Sequence, residues 1–190
     1  MKMKTGLAAL VTALLLLPGI AQADELPMKA EAPITLTSPS AILCEASTGQ
    51  VIFEKNADER RPVASVNKVM TILLTLEAVD EGRVSLEDQV TVSPRAASMG
   101  GSQAFLDAGE RYKLSELLKT VIVASANDSA VALAEHLAGT EESFVRLMNT
   151  RAEELGLTNT HYANCTGLPA AGHLTSAYDI ALMSRELILH

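Results

Sequence analysis

Residues 61–73, RPVASVNKVMTIL, place a serine and a lysine three apart where a polar stretch gives way to an apolar run. The run carries Val66, Val69, Met70, Ile72, Leu73, Leu74, Leu76 and Val79, apolar on nearly every face, and Gly82 is a suitable stop. A helix of this kind is buried at the centre of a fold rather than laid on its surface. At i and i+3, Ser65 and Lys68 share one face of its first turn, where free backbone N–H groups and the positive end of the dipole favour developing negative charge. An amine packed into so apolar a helix is partly desolvated, which lowers its pKa and suits it to take a proton from the hydroxyl. Ser-x-x-Lys also arises by chance about once in a chain of this length. A serine cap with a snorkelling lysine is the alternative.

Before this stretch, SAILCEASTGQVIFEKN holds two short runs of β-formers around Ser47-Thr48-Gly49. Ile42 and Cys44 alternate on one strand and Val51 and Phe53 on the other, which predicts a hairpin. After it, residues 113–124 place Leu114, Leu117, Leu118, Val121 and Ile122 at helical spacing, and Asp128 to Leu137 form a second helix ended by Gly139. Thr140 can cap a third, on which Phe144, Leu147, Met148 and Leu155 share a face, closed by Gly156. A glycine, proline and asparagine loop, YANCTGLPAAGH, leads to a last helix capped by Thr175 or Ser176. No internal repeat or low-complexity tract interrupts the chain. One hairpin is short of strands for so many helices, and the last helix ends on unanswered Leu187, Ile188 and Leu189. The expectation is a domain whose C-terminal strands lie beyond His190.

Residues 1–23 read as a secretory signal: Lys2 and Lys4, an apolar run from Leu7 to Leu17, and the small-x-small site Ala21-Gln22-Ala23. The run is too short for a stable bilayer anchor. Cleavage leaves 167 residues and takes the formal charge from −8 to −10. Residues 24–39 are an aperiodic lead, and 40–190 form the structured part. With no basic cluster longer than Arg60-Arg61, an acidic chain offers no cationic face to nucleic acid or to an anionic membrane. Cys44 and Cys165 could form one disulfide in an exported protein, but two buried thiols are the preferred reading.

A second polar group of interest is Ser125-Ala126-Asn127, on a short link between apolar helices. Such a link can direct a hydroxyl and a carboxamide into a cleft, although Asn127 or Asp128 can equally cap the next helix. Ser-x-x-Lys opening a buried helix, followed sixty residues later by Ser-x-Asn, are two of the three elements of serine β-lactamases and penicillin-binding proteins. The sequence resembles the low-molecular-mass penicillin-binding proteins, specifically the D-alanyl-D-alanine carboxypeptidases. The likeness runs through AILCEASTGQVIFEKNAD, PVASVNKVMT, SANDSAVALAEHLAG, NTHYANCTGLP and HLTSAYDIALMS.

The resemblance implies an α/β, serine β-lactamase/penicillin-binding-protein-like fold, with an antiparallel sheet and a helical subdomain. It implies that Ser65 attacks the carbonyl between the two terminal D-alanines of a peptidoglycan stem peptide. Lys68 would take its proton, and water would hydrolyse the acyl-enzyme. Ser125 would relay a proton, Asn127 would bind the substrate amide, and the Ser65 N–H would form half of an oxyanion hole. No cofactor or metal is called for. β-Lactams would inhibit, the protein would work outside the cytoplasm in the cell envelope, and membrane contact would come only through a part beyond this chain.

The third element, Lys-Thr-Gly on a strand, is absent after residue 23. Lys4-Thr5-Gly6 lies in the signal, and Cys165-Thr166-Gly167 lacks the cation. The 190 residues alone are therefore expected to be inactive or nearly so. A β-lactamase of the same fold is a rival, but neither Glu153 nor Glu154 has the asparagine four residues on that its deacylating loop carries. A non-catalytic penicillin-binding sensor is another. A zinc site on His161, Cys165 and His173 has suitable ligand types and no common spacing.

Overall fold

The computed structural model describes residues 35–62 and 64–190. The signal and most of the lead read from the sequence lie outside them. Strands β1 (Ala41–Cys44) and β2 (Val51–Lys55) form the expected antiparallel hairpin, in register from Ala41 opposite Lys55 to Cys44 opposite Val51, with a bulge at Leu43/Cys44. Its turn is built around one carboxylate. Glu45 accepts from the N–H and hydroxyl of both Ser47 and Thr48, and these bonds hold its pKa at about 2. Gly49 takes φ +75°, and a Cβ there would meet the Arg185 guanidinium at 2.4 Å. That guanidinium donates to the carbonyls of Ala46 and Ser47, tying the turn to the other end of the chain.

The central helix is where the periodicity put it. Helix α1 (Lys68–Asp80) follows a 3₁₀ turn over Ala64–Asn67, so regular helix begins two residues later than the apolar run suggested. Among its residues only Asp80 is exposed, and Met70, Leu73 and Ala78 are fully buried. Val66, counted in the run, lies on the 3₁₀ turn and is exposed.

Between residues 83 and 113 the structure adds elements that no sequence period announces. These are β3 (Gln89–Thr91), the short α2 (Pro94–Ala97) capped by the Ser93 hydroxyl, and β4 (Arg111–Lys113), which pairs antiparallel with β3 as a separate two-stranded sheet. Lys113, assigned from sequence to the following helix, ends β4.

Helices α3 (Leu114–Ala124), α4 (Asn127–Ala138), α5 (Glu141–Glu154) and α6 (Ala177–Leu187) pack around α1. Leu114, Leu117, Val121, Leu133, Phe144, Met148 and Met183 are buried in one cluster with Met70 and Leu73. Thr140 caps α5 by accepting from Ser143 N, and Ser176 rather than Thr175 caps α6 by accepting from Asp179 N. Two residues placed on inward faces point outward. Ile122 and Leu147 are 55% and 44% exposed, and Ala152 takes the inward position on α5. Arg151 of α5 joins Glu77 of α1 at 2.7 Å and Glu186 of α6 at 3.4 Å. Cys44 and Cys165 are both free thiols. Among the described residues no helix is long and apolar enough to cross a membrane.

Truncation at the centre should cost far more than truncation on α5's outer face. Leu73→Ala is expected to lose about 2–5 kcal/mol and Leu147→Ala less than about 1 kcal/mol, read from urea unfolding midpoints.

Candidate active site

Ser65 is an exposed residue on the 3₁₀ turn, and the residue before it, Ala64, is held at φ +45°. In a helix with three residues per turn, positions i and i+3 eclipse, so the turn aims Ser65 and Lys68 along one line. Lys68 Nζ lies 3.3 Å from Ser65 Oγ. The Ser65 hydroxyl caps nothing: Asn67 precedes α1 and no side chain caps it. Nor does Lys68 snorkel to water, for it is only 2% exposed.

A lysine buried this way needs a partner, and among the described residues it has no carboxylate. Its amine donates to the Thr166 carbonyl at 2.7 Å. Burial pushes the Lys68 pKa below the ordinary 10.5. The opposing influence is a charge on Cys165. That thiol is itself pushed well above its usual value by burial and by Glu141, 3.6 Å from the sulfur, so it is neutral at physiological pH and burial prevails on Lys68.

Ser125 ends α3 in the left-handed region at φ +56°. Its Oγ is buried and has no hydrogen-bond partner among the described residues. Asn127 is the first residue of α4 rather than part of the link, and Ala126 is the cap, so neither Asn127 nor Asp128 fills the capping role. Both instead organise the segment 100–106. Asn127 donates from Nδ2 to Gly100 O and from its backbone to Ser102 O, each at 2.7 Å. The buried Asp128 carboxylate accepts from the backbones of Ala104, Leu106 and Ser129. The structure thus joins Ser65 to Lys68 directly. It places Ser125 and Asn127 at the α3–α4 junction, with α1 packed on both helices, and no hydrogen bond links either to Lys68 among the described residues.

The alternative ligand set does not converge. His161 Nδ1 pairs with Asn149, His173 Nδ1 accepts from Ala163 N, and Cys165 faces Glu141. Among the described residues the converging group is Glu77, Glu186 and His190, where the Arg151 guanidinium already pairs with both carboxylates.

A family model described as D-alanyl-D-alanine carboxypeptidase matches residues 27–190. The chain belongs to that carboxypeptidase family. It is 51% identical over 149 residues to the D-alanyl-D-alanine carboxypeptidase DacF of Bacillus subtilis, covering 78% of this chain and 38% of the relative. With DacC of Escherichia coli the identity is 39% over 165 residues, 81% of this chain and 41% of the relative. Among solved structures, the D-alanyl-D-alanine carboxypeptidase DacD of Francisella tularensis superposes with a TM-score of 0.81 at 38% identity over 90% of this chain and 41% of its own. Penicillin binding protein 6B of E. coli gives 0.81 at 37% identity over 86% of this chain and 53% of its own. The chain therefore spans about half the length of these relatives or less. Its fold is that of the penicillin-binding proteins and serine β-lactamases.

Sequence reasoning gave no role to the segment that holds Lys68. The available signal was the Asn-x-Thr-Gly of residues 164–167, a pattern suited to a side-chain-closed turn. Gly167 shows how tightly that segment meets the Ser65 turn. It adopts φ +86°, and a Cβ on it would fall 1.9 Å from the Ala64 carbonyl oxygen. Gly167→Ala is expected to destabilise the protein by at least about 2 kcal/mol and to displace the Ser65 turn, measurable as a lowered melting temperature.

Proposed function

We propose that this chain carries the nucleophilic half of a serine-type D-alanyl-D-alanine carboxypeptidase, with Ser65 as nucleophile and Lys68 as its base. The observation that carries the reading is a lysine 2% exposed, without a carboxylate partner among the described residues, whose amine lies 3.3 Å from the oxygen of an exposed serine. In its neutral form Lys68 accepts the Ser65 proton as Oγ bonds to the carbonyl carbon between the terminal D-alanines. The C–N bond then breaks as the departing D-alanine amine takes the proton that Lys68 had accepted, with the Ser125 hydroxyl, which has no partner among the described residues, as the relay. Water hydrolyses the ester, releasing the shortened stem peptide and restoring Ser65. Asn127, fixed by Gly100, presents its remaining amide capacity to the substrate backbone. The N–H of Ser65, near the start of its turn, has no intrahelical acceptor and is available to a developing oxyanion.

The site works on peptidoglycan outside the cytoplasm, after export directed by residues 1–23, and β-lactams acylate the same serine. Deacylation of the penicilloyl ester is slow, because the acidic residue and asparagine of a β-lactamase loop are not paired here. A cation for the substrate carboxylate is not supplied by a Lys-Thr-Gly after residue 23, so the 190-residue chain alone acylates poorly.

Fluorescent penicillin labelling and D-alanine release, measured on the product of the full reading frame and on the 190-residue chain, test these statements. The full product is expected to show both signals and Ser65→Ala neither; retention of both by Ser65→Ala would sink the assignment. Label without release would indicate a sensor, rapid loss of label a β-lactamase, and full-rate labelling of the 190-residue chain would remove the need for an outside cation. Because the neutral amine is the base, the acylation rate should rise with pH to a plateau whose midpoint lies below 10.5. Lys68→Met should lower the plateau by about 10²-fold or more.

A further inference from the structure

The loop that follows Tyr162 meets α1 in an unusually regular way. Three consecutive carbonyls, those of Asn164, Cys165 and Thr166, accept from three side chains of the nucleophile segment. Asn67 Nδ2 donates to the first at 3.2 Å, Thr71 Oγ1 to the second at 2.8 Å, and Lys68 Nζ to the third at 2.7 Å. Consecutive carbonyls in an extended strand alternate in direction, so three that face one helix require a folded turn.

That turn is closed by one side chain. Asn164 Oδ1 accepts from Thr166 N at 3.1 Å, from Thr166 Oγ1 at 3.1 Å and from Gly167 N at 2.8 Å, while its Nδ2 donates to the Leu168 carbonyl at 2.8 Å. Thr166 is 1% exposed, so its carbonyl cannot lean on water for direction, and the left-handed Gly167 seats the turn against Ala64. Asn164 itself touches neither Ser65 nor Lys68 through its side chain.

We propose that Asn164 is a positioning residue for the base: by closing the 164–168 turn it aims the Thr166 carbonyl at Lys68 Nζ and fixes the amine against Ser65. The proposal rests on the reading of Ser65 and Lys68 given above, and goes beyond it in assigning a residue that makes no contact with substrate or reacting atoms. Without the carboxamide, the turn opens, the Thr166 carbonyl turns away, and water reaches the amine. Lys68 then becomes a more ordinary lysine, protonated over a wider range and less often aligned with the hydroxyl.

The test uses the full-reading-frame product with Asn164→Ala and, as the milder change, Asn164→Ser, whose hydroxyl can still accept from Thr166 N. Two readouts are taken: the pH dependence of penicillin acylation, and the NMR titration of the Lys68 side chain, assigned by its loss in Lys68→Met. Asn164→Ala is expected to slow acylation about 10²-fold at neutral pH with little change in the initial binding constant, and to move both midpoints up by ~1 pH unit. Asn164→Ser should fall between Asn164→Ala and the parent. Folded variants with unchanged Lys68 midpoints would overturn the assignment, and Asn164→Ser supplies that comparison if Asn164→Ala does not fold. Absence of acylation in the parent protein would instead refute Ser65 as nucleophile, while the NMR titration would still report whether Asn164 positions the amine.

Discussion

The central constraint on this structure is the amine of Lys68, buried at the start of α1. Bringing Lys68 out of water costs free energy that a carboxylate would ordinarily offset, and no carboxylate is there among the described residues. What surrounds the amine is a hydroxyl, a peptide carbonyl and the apolar flank of α1. Those neighbours tolerate a neutral amine far better than a charged one. The helices packed on α1, from α3 to α6, thus help to keep the helix that Lys68 begins out of water.

Backbone strain falls partly at the same places. Among the described residues Asn56, Ala64, Phe105 and Ser125 have positive φ without being glycine; Ala64 immediately precedes Ser65, and Ser125 itself ends α3. The buried polar atoms left unpaired among the described residues are Asn67 Oδ1, Ser125 Oγ and His173 Nε2. Two of the three belong to the Ser65 turn and the α3–α4 junction.

The central helix and the hairpin could be read from sequence because their signals are local. Apolar residues on nearly every face of positions 69–79 mean burial whatever the rest of the chain does, and Ser47-Thr48-Gly49 is a turn by its own chemistry. The segment from 83 to 113 could not, since strands of three residues carry no usable period and Pro94–Ala97 is barely one turn. Ile122 and Leu147 were misplaced for a different reason. Spacing defines a stripe, but its width depends on which neighbours pack there, and on α5 the buried stripe runs through Phe144, Met148 and Ala152 and leaves Leu147 outside. In the site, Ser65 and Lys68 were visible because they are three apart. The loop that holds Lys68 was not, because nothing local ties residue 166 to residue 68.

That separation has a consequence for the order in which the protein comes into being. The bonds from Asn67, Thr71 and Lys68 to the 164–166 turn close loops of 97, 94 and 98 residues. Loops of that length form late, after local helices and the hairpin, because their closure entropy is met only when many contacts form together. Until residue 166 has been synthesised and docked, Ser65-Val66-Asn67-Lys68 is a solvated segment with an ordinary, protonated lysine. The buried, carbonyl-bound amine of Lys68 is therefore acquired only when the 164–166 turn docks, so a nascent or misfolded copy carries the Ser-x-x-Lys motif without that environment.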